Sequence, residues 1–271
     1  MKIIVAVAQA TPVVLNLAGS VEKAYQWIAE SGRRGARLVT FSETWIPCYP
    51  LWCDAGTFGK WEHGPSKKLH ARLVRNSVEI PSAETKKLCA AARQAQVAAV
   101  IGVNERDTAS GSLYNTLLFI SSAGELLGRH RKLVPTFGER LVWGYGDAAG
   151  LQSYNLDGAR VGGLICWEHW MPLARHVLHA SAEQIHVAAW PHCTETYQLA
   201  SRHYAFEGRV FVLVAAAFLK KSDLPADFEL ADDFKNAPEV LLKGGSAVIG
   251  PDAAVPAIPK RPLAEIMPVV D

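Results

Sequence analysis

Residues 161–175 read VGGLICWEHWMPLAR, and this stretch decides the fold class and where to look for a site. The apolar run VGGLI is typical of a buried strand, and a helix is predicted to begin near Trp170. The apolar residues that then recur at helical spacing are Leu173, Val177 and Ala180. Cys166 is therefore expected at the carboxyl end of a strand and near a helix N-terminus, a place that lowers the pKa of a thiol and where α/β folds keep their chemistry. A buried cysteine that packs as a small hydrophobe is the equally weighted alternative for this segment alone.

The bulk composition indicates one large domain with a substantial core. The chain has 271 residues, of which 49% are hydrophobic and 20% are charged, and its net charge is +2. A charge so near neutrality gives no electrostatic reason to expect a nucleic acid or an anionic membrane as partner. No stretch is long enough to span a membrane, and the start MKIIVAVAQATP is interpreted as a first strand because its apolar run is short.

The five cysteines argue against a disulfide scaffold and against a zinc site. They are Cys48, Cys53, Cys89, Cys166 and Cys193. Their number is odd, their spacing is irregular and no C-x-x-C occurs, so a reducing compartment, the cytoplasm, is predicted. Cys48 and Cys53 lack a second ligand pair nearby, so no metal is expected.

Strands and helices alternate along the chain. Strands are predicted at 3–8, 37–43, 98–103, 113–120, 126–131, 184–190, 210–217 and 245–250, besides VGGLI. Helices are predicted at 20–33, at 69–77, after a cap at Ser82, near Trp170 and at 196–209. Residues 133–150 form a long irregular loop of the kind that carries function, and 223–238 are expected to be a mobile surface segment. The pattern favours a mixed sheet with helices outside it.

Three apolar strands end on a reactive side chain. Glu43 closes RLVTFSE, Lys132 closes LLGRHRK and Cys166 closes VGGLIC. Taken singly, Glu43 could be a strand-end charge and Lys132 a solvated one. Together they supply a base, a cation and a nucleophile, which is a complete set for attack on an unsaturated carbon.

Several motifs occur in the order of a known family and cover almost everything from residue 3 to residue 252. They are FSETWIPCYP, GVNERD with SLYNTLLF, HRKLVPTFGERLVWGYGD, ICWEHWMPLAR and GGSAVIGPD. The sequence resembles the nitrilase branch of the carbon–nitrogen hydrolase superfamily. The resemblance implies an α/β fold, a four-layer α-β-β-α sandwich, for residues 1–252, followed by a short proline-rich C-terminal segment at 253–271.

The resemblance also implies roles. The family's catalytic triad falls on Glu43, Lys132 and Cys166, and a further family glutamate falls on Glu139. Cys166 would attack a nitrile, Glu43 would be the base, and Lys132 with the backbone N–H of Trp167 would stabilise developing charge. A thioimidate and then a thioester would lead to a carboxylic acid and ammonia, with no cofactor. Glu139 would hold Lys132 or assist proton transfer, and a loop ion pair is its equally weighted alternative.

Aromatic residues cluster around these motifs and are expected to include the walls of a pocket for an apolar nitrile. The residues assigned to substrate binding are Trp167, Trp190, Trp143, Tyr49 and His192. Packing in the core or at an interface is the alternative for each of them. Glu168 is expected to be a buried structural carboxylate.

The C-terminal segment departs from the family pattern. Prolines at 256, 259, 262 and 268 exclude a normal central strand or helix, so a dimer or small oligomer is expected instead of a long spiral. The helix in HWMPLARHVL would contribute to the dimer surface. The alternatives to a nitrilase are an amide-directed or nitrile-hydrating relative, and a non-catalytic assembly protein of the same fold.

Overall fold

The computed structural model describes residues 3–255 and the backbone of Val269–Val270. The strands of the first half are β1 (Val5–Ala8), β2 (Leu38–Phe41), β3 (Ala98–Arg106), β4 (Leu113–Ile120) and β5 (Leu126–Arg131). Those of the second half are β6 (Tyr154–Leu156), β7 (Ala159–Ile165), β8 (Ile185–Trp190), β9 (Phe211–Ala216), β10 (Phe218–Lys220), β11 (Val240–Lys243), β12 (Ala247–Ile249) and β13 (Val269–Val270). The helices are α1 (Leu17–Arg33), α2 (Gly64–Arg75), α3 (Ala83–Ala95), α4 (Pro172–Ala180) and α5 (Glu195–Gly208).

The strands form two main mixed sheets. The first has the order β13-β1-β2-β3-β4-β5, with β1, β2 and β3 parallel and the outer strands antiparallel. The second has the order β12-β9-β8-β7-β6, with β7, β8 and β9 parallel and both edge strands antiparallel. Strands β10 and β11 form a separate two-stranded antiparallel sheet. A mixed sheet was predicted, and the structure resolves it into two.

Alternation along the strands builds the layers. In β1, Val5 and Val7 join the core that lies between the sheets, whereas Ala6 and Ala8 join the core beneath α1 and α3. This period of two is what a strand with both faces buried requires. Helices α4 and α5 pack on the outer face of the second sheet through Ala174, Leu178, Ala200 and Tyr204. The predicted α-β-β-α sandwich is therefore confirmed.

Helix boundaries follow local chemistry. Ser82 caps α3, as predicted, because its side chain accepts a hydrogen bond from the backbone N–H of Thr85 at 3.2 Å. The helix predicted near Trp170 is split into a 3-10 turn at Cys166–Trp170 and α4. Its predicted apolar stripe faces outward, since Leu173 is 80% exposed. The buried residues of α4 are Ala174 and Leu178 instead.

Two further expectations from the sequence are corrected. Residues 223–238 do not form a mobile surface segment, because Phe228, Leu230 and Phe234 are buried in an apolar cluster against Trp52 and its neighbours. The short strands β6, β10 and β11 were not predicted, and three or four residues give too little alternation to detect.

The proline-rich stretch 256–268 lies outside the described residues. Its predicted lack of regular structure therefore stays a prediction. Beyond it, β13 pairs antiparallel with the edge strand β1, with Val270 opposite Val5. The division at residue 252 stays a prediction. Within the described part of the chain, no helix is both long and apolar enough to cross a membrane.

Candidate active site

The ends of three strands meet between the two sheets. Glu43 follows β2, Lys132 directly follows β5, and Cys166 directly follows β7. The Nζ of Lys132 lies 2.9 Å from Oε1 of Glu43. One ligand atom each from Glu43, Glu139 and Cys166 lie within 4.8 Å of one another. All four side chains are buried, so the residues assigned to catalysis from the sequence lie together in a closed site.

Lys132 bridges two carboxylates. Its Nζ lies 2.7 Å from Oε2 of Glu139, which belongs to a 3-10 turn at Phe137–Leu141. Glu139 is fixed further by the hydroxyl of Tyr49, which donates at 2.9 Å, and by the backbone N–H of Thr136 at 2.7 Å. Glu139 therefore forms its ion pair with Lys132, within the charged cluster.

Glu43 is held on one oxygen only. Its Oε1 accepts hydrogen bonds from Lys132 and, at 2.6 Å, from Nδ2 of Asn115 in β4. Its Oε2 is buried and has no hydrogen-bond partner among the described residues. A carboxylate that is anchored through one oxygen keeps the other available to accept a proton.

The loop predicted at 133–150 contains Glu139 and returns to Lys132. The backbone N–H of Gly146 donates to the carbonyl of Lys132 at 2.9 Å. A Cβ at this position would come within 2.3 Å of the carbonyl oxygen of Arg131. Glycine is therefore required where the loop returns to the strand end.

Burial and neighbouring charge set the protonation states of the site. Burial raises the pKa of Glu43 to about 7 against the opposing effect of Lys132. Burial, together with the charge of Glu43, raises the pKa of the Cys166 thiol well above its usual range. Although burial alone would lower the pKa of Lys132, its ion pairs with Glu43 and Glu139 raise it.

The predicted lowering of the Cys166 pKa is therefore wrong for the resting site. A strand end near a helix would favour the thiolate, but here desolvation and an adjacent carboxylate outweigh that effect. The resting thiol is neutral, and a carboxyl group with a pKa of about 7, that of Glu43, lies beside it.

The backbone of Cys166 adopts a left-handed conformation, with φ of 53°. Such a conformation costs a non-glycine residue roughly 1–3 kcal/mol and persists only when the surroundings enforce it. Two contacts lie close by. The backbone N–H of Trp167 hydrogen-bonds to the sulfur, and Nδ1 of His169 lies 2.7 Å from the carbonyl oxygen of Cys166.

Glu168 ties the strand ends of the two sheets together. Its Oε2 accepts from the backbone N–H of Ile165 at 2.7 Å, and its Oε1 accepts from that of Leu133 at 2.8 Å. These residues directly precede Cys166 and directly follow Lys132. The Nε2 of His130 lies 2.9 Å from Oε2 of Glu168. Although burial alone would raise the pKa of Glu168, His130 and the two N–H groups lower it. Glu168 is a buried structural carboxylate, as expected.

Two of the aromatic residues assigned to substrate binding border the charged cluster. The ring of Trp143 lies 5.9 Å from Nζ of Lys132, and its Nε1 donates to Oδ1 of Asn104 at 2.7 Å. Tyr49 packs edge-on against Trp143, with ring centroids 5.9 Å apart, and donates to Glu139.

The other three assigned residues lie on the Cys166 side. Trp190 is fully buried, stacks on Tyr197 at 4.7 Å and donates to Oγ of Ser201. His192 is half-buried beside Tyr197, with ring centroids 6.3 Å apart. Trp167 is 47% exposed and packs against Trp170. The substrate-binding roles of all five remain predictions.

Sequence reasoning missed Asn115 and His130 as parts of the site. Asn115 is buried within the apolar run LYNTLLFI, and an amide in such a strand is the signal that could have identified it. His130 was hidden in the basic run RHRK, where alternation turns it inward while its neighbours remain partly exposed. No local pattern reports that it reaches Glu168.

The carboxylates and the thiol of Glu43, Glu139 and Cys166 are also donors that a metal ion could use. The ammonium group of Lys132 already lies between the two carboxylates, at 2.9 and 2.7 Å. A divalent cation at the same place would meet this positive charge at close range. The arrangement therefore favours a lysine cation as the charge partner of both glutamates.

A family model described as carbon-nitrogen hydrolase matches residues 4–262. The sequence is 44% identical to Nitrilase 2 from an unknown prokaryotic organism, over 93% of this chain and 78% of that protein. It is 36% identical to an aliphatic nitrilase of Rhodococcus rhodochrous, over 94% of this chain and 70% of that protein. It is 34% identical to a bifunctional nitrilase/nitrile hydratase of Lupinus angustifolius, over 93% of this chain and 73% of that protein.

Solved structures show the same fold at low sequence identity. An amidase variant from Nesterenkonia sp. AN1, with acrylamide added at its active-site cysteine, has a TM-score of 0.76 at 16% identity and covers 100% of this chain and 93% of its own. Saccharomyces cerevisiae Nit3 has a TM-score of 0.75 at 18% identity, and the match covers 99% of this chain and 90% of Nit3.

Proposed function

Because the chain belongs to the carbon–nitrogen hydrolase family and to its nitrilase branch, we propose that its reaction is carried out by Cys166, Glu43 and Lys132. The enzyme is a nitrilase, which hydrolyses an organic nitrile to the carboxylic acid and ammonia. The observation that supports this assignment of residues best is the buried ammonium of Lys132 between Glu43 and Glu139, next to a cysteine in a strained conformation.

The first step is transfer of the Cys166 proton to Oε2 of Glu43, the carboxylate oxygen without a partner. The sulfur then attacks the nitrile carbon and forms the C–S bond while one π bond to nitrogen breaks. The nitrogen takes the proton from Glu43 and leaves a thioimidate. Because the pKa of Glu43 is about 7, the same group can accept and return a proton near neutral pH.

The second half of the reaction consumes two water molecules. Glu43 takes a proton from one water and passes it to the thioimidate nitrogen as the hydroxide adds to the carbon. Transfer of the hydroxyl proton to the same nitrogen, with cleavage of the C–N bond, releases ammonia and leaves a thioester. A second water attacks the thioester, and cleavage of the C–S bond releases the acid and returns the thiol of Cys166. Lys132 and the backbone N–H of Trp167 stabilise charge on the substrate nitrogen or oxygen in these steps.

Glu139 holds Lys132 together with Glu43. Two carboxylates at 2.9 and 2.7 Å fix the ammonium group, and Tyr49 orients Glu139 in turn. This matters because a cation placed in advance stabilises the transition state without a reorganisation cost. Glu139 is therefore proposed to position the cation.

The alternatives considered from the sequence are not favoured. Two relatives are named as nitrilases at 44% and 36% identity, and a third at 34% is named as a bifunctional nitrilase/nitrile hydratase, so all three names include nitrilase. The amidase likeness at 16% identity reports the fold alone. A non-catalytic assembly protein would have no need of four buried ionisable groups in contact.

A panel of nitriles and of the matching amides tests the proposal. Ammonia, acid and amide are measured after incubation with the enzyme and with a Cys166→Ala control. Acid and ammonia from nitriles in equal amounts, absent in the control, are expected. Turnover of amides but not of nitriles would overturn the assignment.

We further propose that the chain self-associates through α4 and α5. The outward residues Leu173, Leu199 and Phe206 are all more than half exposed, on two adjacent helices. Burying such a patch favours a dimer or small oligomer.

The five free cysteines support a reducing location, the cytoplasm.

A further inference from the structure

A row of buried polar groups runs away from the nucleophile into the second sheet. It begins at the carbonyl oxygen of Cys166, which lies 2.7 Å from Nδ1 of His169. The Nε2 of His169 lies 3.1 Å from Nε2 of His186 in β8, and Nδ1 of His186 lies 3.1 Å from Oε2 of Glu183. All are buried, and the proposed mechanism uses none of the three side chains.

The hydrogen-bonding roles along this row are determined by its two ends. A backbone carbonyl only accepts, so Nδ1 of His169 carries a proton. A neutral His169 then presents Nε2 as an acceptor, and Nε2 of His186 must donate to it. The carboxylate of Glu183 also only accepts, so Nδ1 of His186 must donate as well. His186 therefore carries protons on both nitrogens and is an imidazolium.

The surroundings favour this distribution of charge. Burial, together with the positive charge of His186, lowers the pKa of His169 to about 3, so His169 is neutral. Although burial alone would raise the pKa of Glu183, His186, His179 and Tyr204 lower it to about 2. Glu183 is therefore the anion that pairs with His186.

Groups from every neighbouring element face this pair. From α5, the ring of Tyr204 stacks on His186 at 3.7 Å, and its hydroxyl donates to Oε1 of Glu183. From α4, Nδ1 of His179 lies 3.2 Å from the same oxygen. A paired ion with all of its partners in place is rigid, because any displacement would leave a buried charge uncompensated.

We propose that the His169–His186–Glu183 row positions the nucleophile, with His186 as a buried imidazolium that orients a neutral His169 toward the carbonyl of Cys166. The row holds Cys166 in its left-handed conformation, because it anchors His169, on the same turn, to His186 in the neighbouring strand β8. His169 and His186 are thus positioning residues and do not touch the substrate. The inference rests on the proposed role of Cys166 as nucleophile.

Two substitutions at one position separate the links of the row. In His169→Asn, the amide nitrogen reaches about as far as Nδ1 and can still donate to the Cys166 carbonyl. In His169→Gln, the amide reaches about as far as Nε2 and keeps the contact with His186 only. His176→Gln on the exposed side of α4 is the matched control and is expected to behave as the wild type.

For nitrile hydrolysis, His169→Gln is expected to lower kcat by about 10²-fold with little change in KM, the scale of a misplacement of roughly 1 Å. His169→Asn keeps the donor to the Cys166 carbonyl but loses the contact with His186 that orients it, so a smaller loss in kcat, of about tenfold, is expected. Equal losses in the two variants, or no loss in either, would show that the row only packs the core. If the variants do not fold, ¹⁵N NMR of labelled histidine in the wild type decides instead.

The spectra test the protonation states directly. Both nitrogens of His186, assigned by comparison with His186→Gln, are expected to carry protons in the native enzyme, because each faces an acceptor. A His186 with only one protonated nitrogen would overturn the proposal. Peptide mapping of a slow-nitrile adduct on the wild type tests the role of Cys166 separately, because an adduct at Cys166 leaves only the row in question.

Discussion

The two sheets contribute unlike halves of one site. The end of the first sheet supplies charge, since Glu43 and Lys132 are ionisable groups in direct contact and Glu139 joins them. The end of the second sheet supplies a neutral thiol on a strained backbone at Cys166. Charge alone would polarise a substrate, and a strained thiol alone would remain protonated. The site therefore depends on how the sheets are packed, and Glu168 joins them.

The largest effect is expected from removing the nucleophile. Cys166→Ala should lower kcat by about 10⁶-fold, the scale seen when a covalent nucleophile is removed, and should retain the fold. Steady-state kinetics with circular dichroism measures both. Cys89→Ala, at a half-buried thiol on α3, is the control and should keep its activity. An active Cys166→Ala would show that the second sheet does not supply the nucleophile.

The next effect concerns the base on the first sheet. Glu43→Gln keeps the shape and the contacts of Oε1 but removes the proton acceptor, so kcat should fall by roughly 10²–10⁴-fold. A variant with normal kcat and only a raised KM would contradict the division of roles between the two sheets, because Glu43 would then bind substrate and not activate the thiol.

The same residue predicts a pH dependence. The pKa of Glu43 in the folded protein is about 7, above its ordinary value of 4.5, and only the ionised form is a base. The kcat/KM should therefore fall by about tenfold per pH unit below pH 7 and level off above it. Since the native state holds this proton more tightly than the unfolded chain, Glu43 lowers stability increasingly as pH rises from 4.5 to 7. An acidic limb centred near 4.5 would contradict the buried, desolvated carboxylate.

A smaller effect is expected at the seam between the sheets. Glu168→Gln offers one acceptor oxygen where two backbone N–H groups now bind, so one buried N–H loses its partner. The free energy of unfolding should fall by about 1–3 kcal/mol, and kcat by up to about 10²-fold. Chemical denaturation and kinetics measure these changes against Glu125→Gln, an exposed control. Lost stability with unchanged kcat would mean that the seam does not set the site's geometry.

The smallest effect is expected from Tyr49→Phe. It removes one hydrogen bond of 2.9 Å to Glu139, which in turn contacts Lys132. Tyr49 would therefore affect the thiol only indirectly. A loss of about 1.5 kcal/mol corresponds to roughly tenfold in kcat, with KM little changed if Tyr49 acts through Lys132. A large rise in KM would instead place Tyr49 in the pocket wall, as the sequence predicted.

The sequence predicted the two halves unequally. Glu43, Lys132 and Cys166 could be selected as candidates because each ends an apolar strand, and a strand end is a local property. The α-β-β-α architecture followed from the resemblance to the family. Asn115, His130 and the pairing of His169 with His186 were not found, because their partners lie 17 to 72 residues away along the chain.

The outward stripe on α4 shows another limit. Helical spacing identified Leu173 and Val177 as one face but could not tell whether that face meets the sheet or solvent. The pKa of Cys166 shows a third limit, since a favourable strand end could be read from the sequence but the desolvation that outweighs it depends on the packing of the second sheet against the first.

The most direct test of the central claim is a peptide map of the enzyme after reaction with a slowly hydrolysed nitrile, in the wild type and in Glu43→Gln. A mass increase equal to the nitrile or its acyl group, on the peptide that contains Cys166, is expected. It should form at least about 10²-fold more slowly in Glu43→Gln, because that variant lacks the base that the first sheet supplies to the thiol of the second. An adduct at Cys48, Cys53, Cys89 or Cys193, or equal rates of modification in the two proteins, would contradict a site assembled from both sheets.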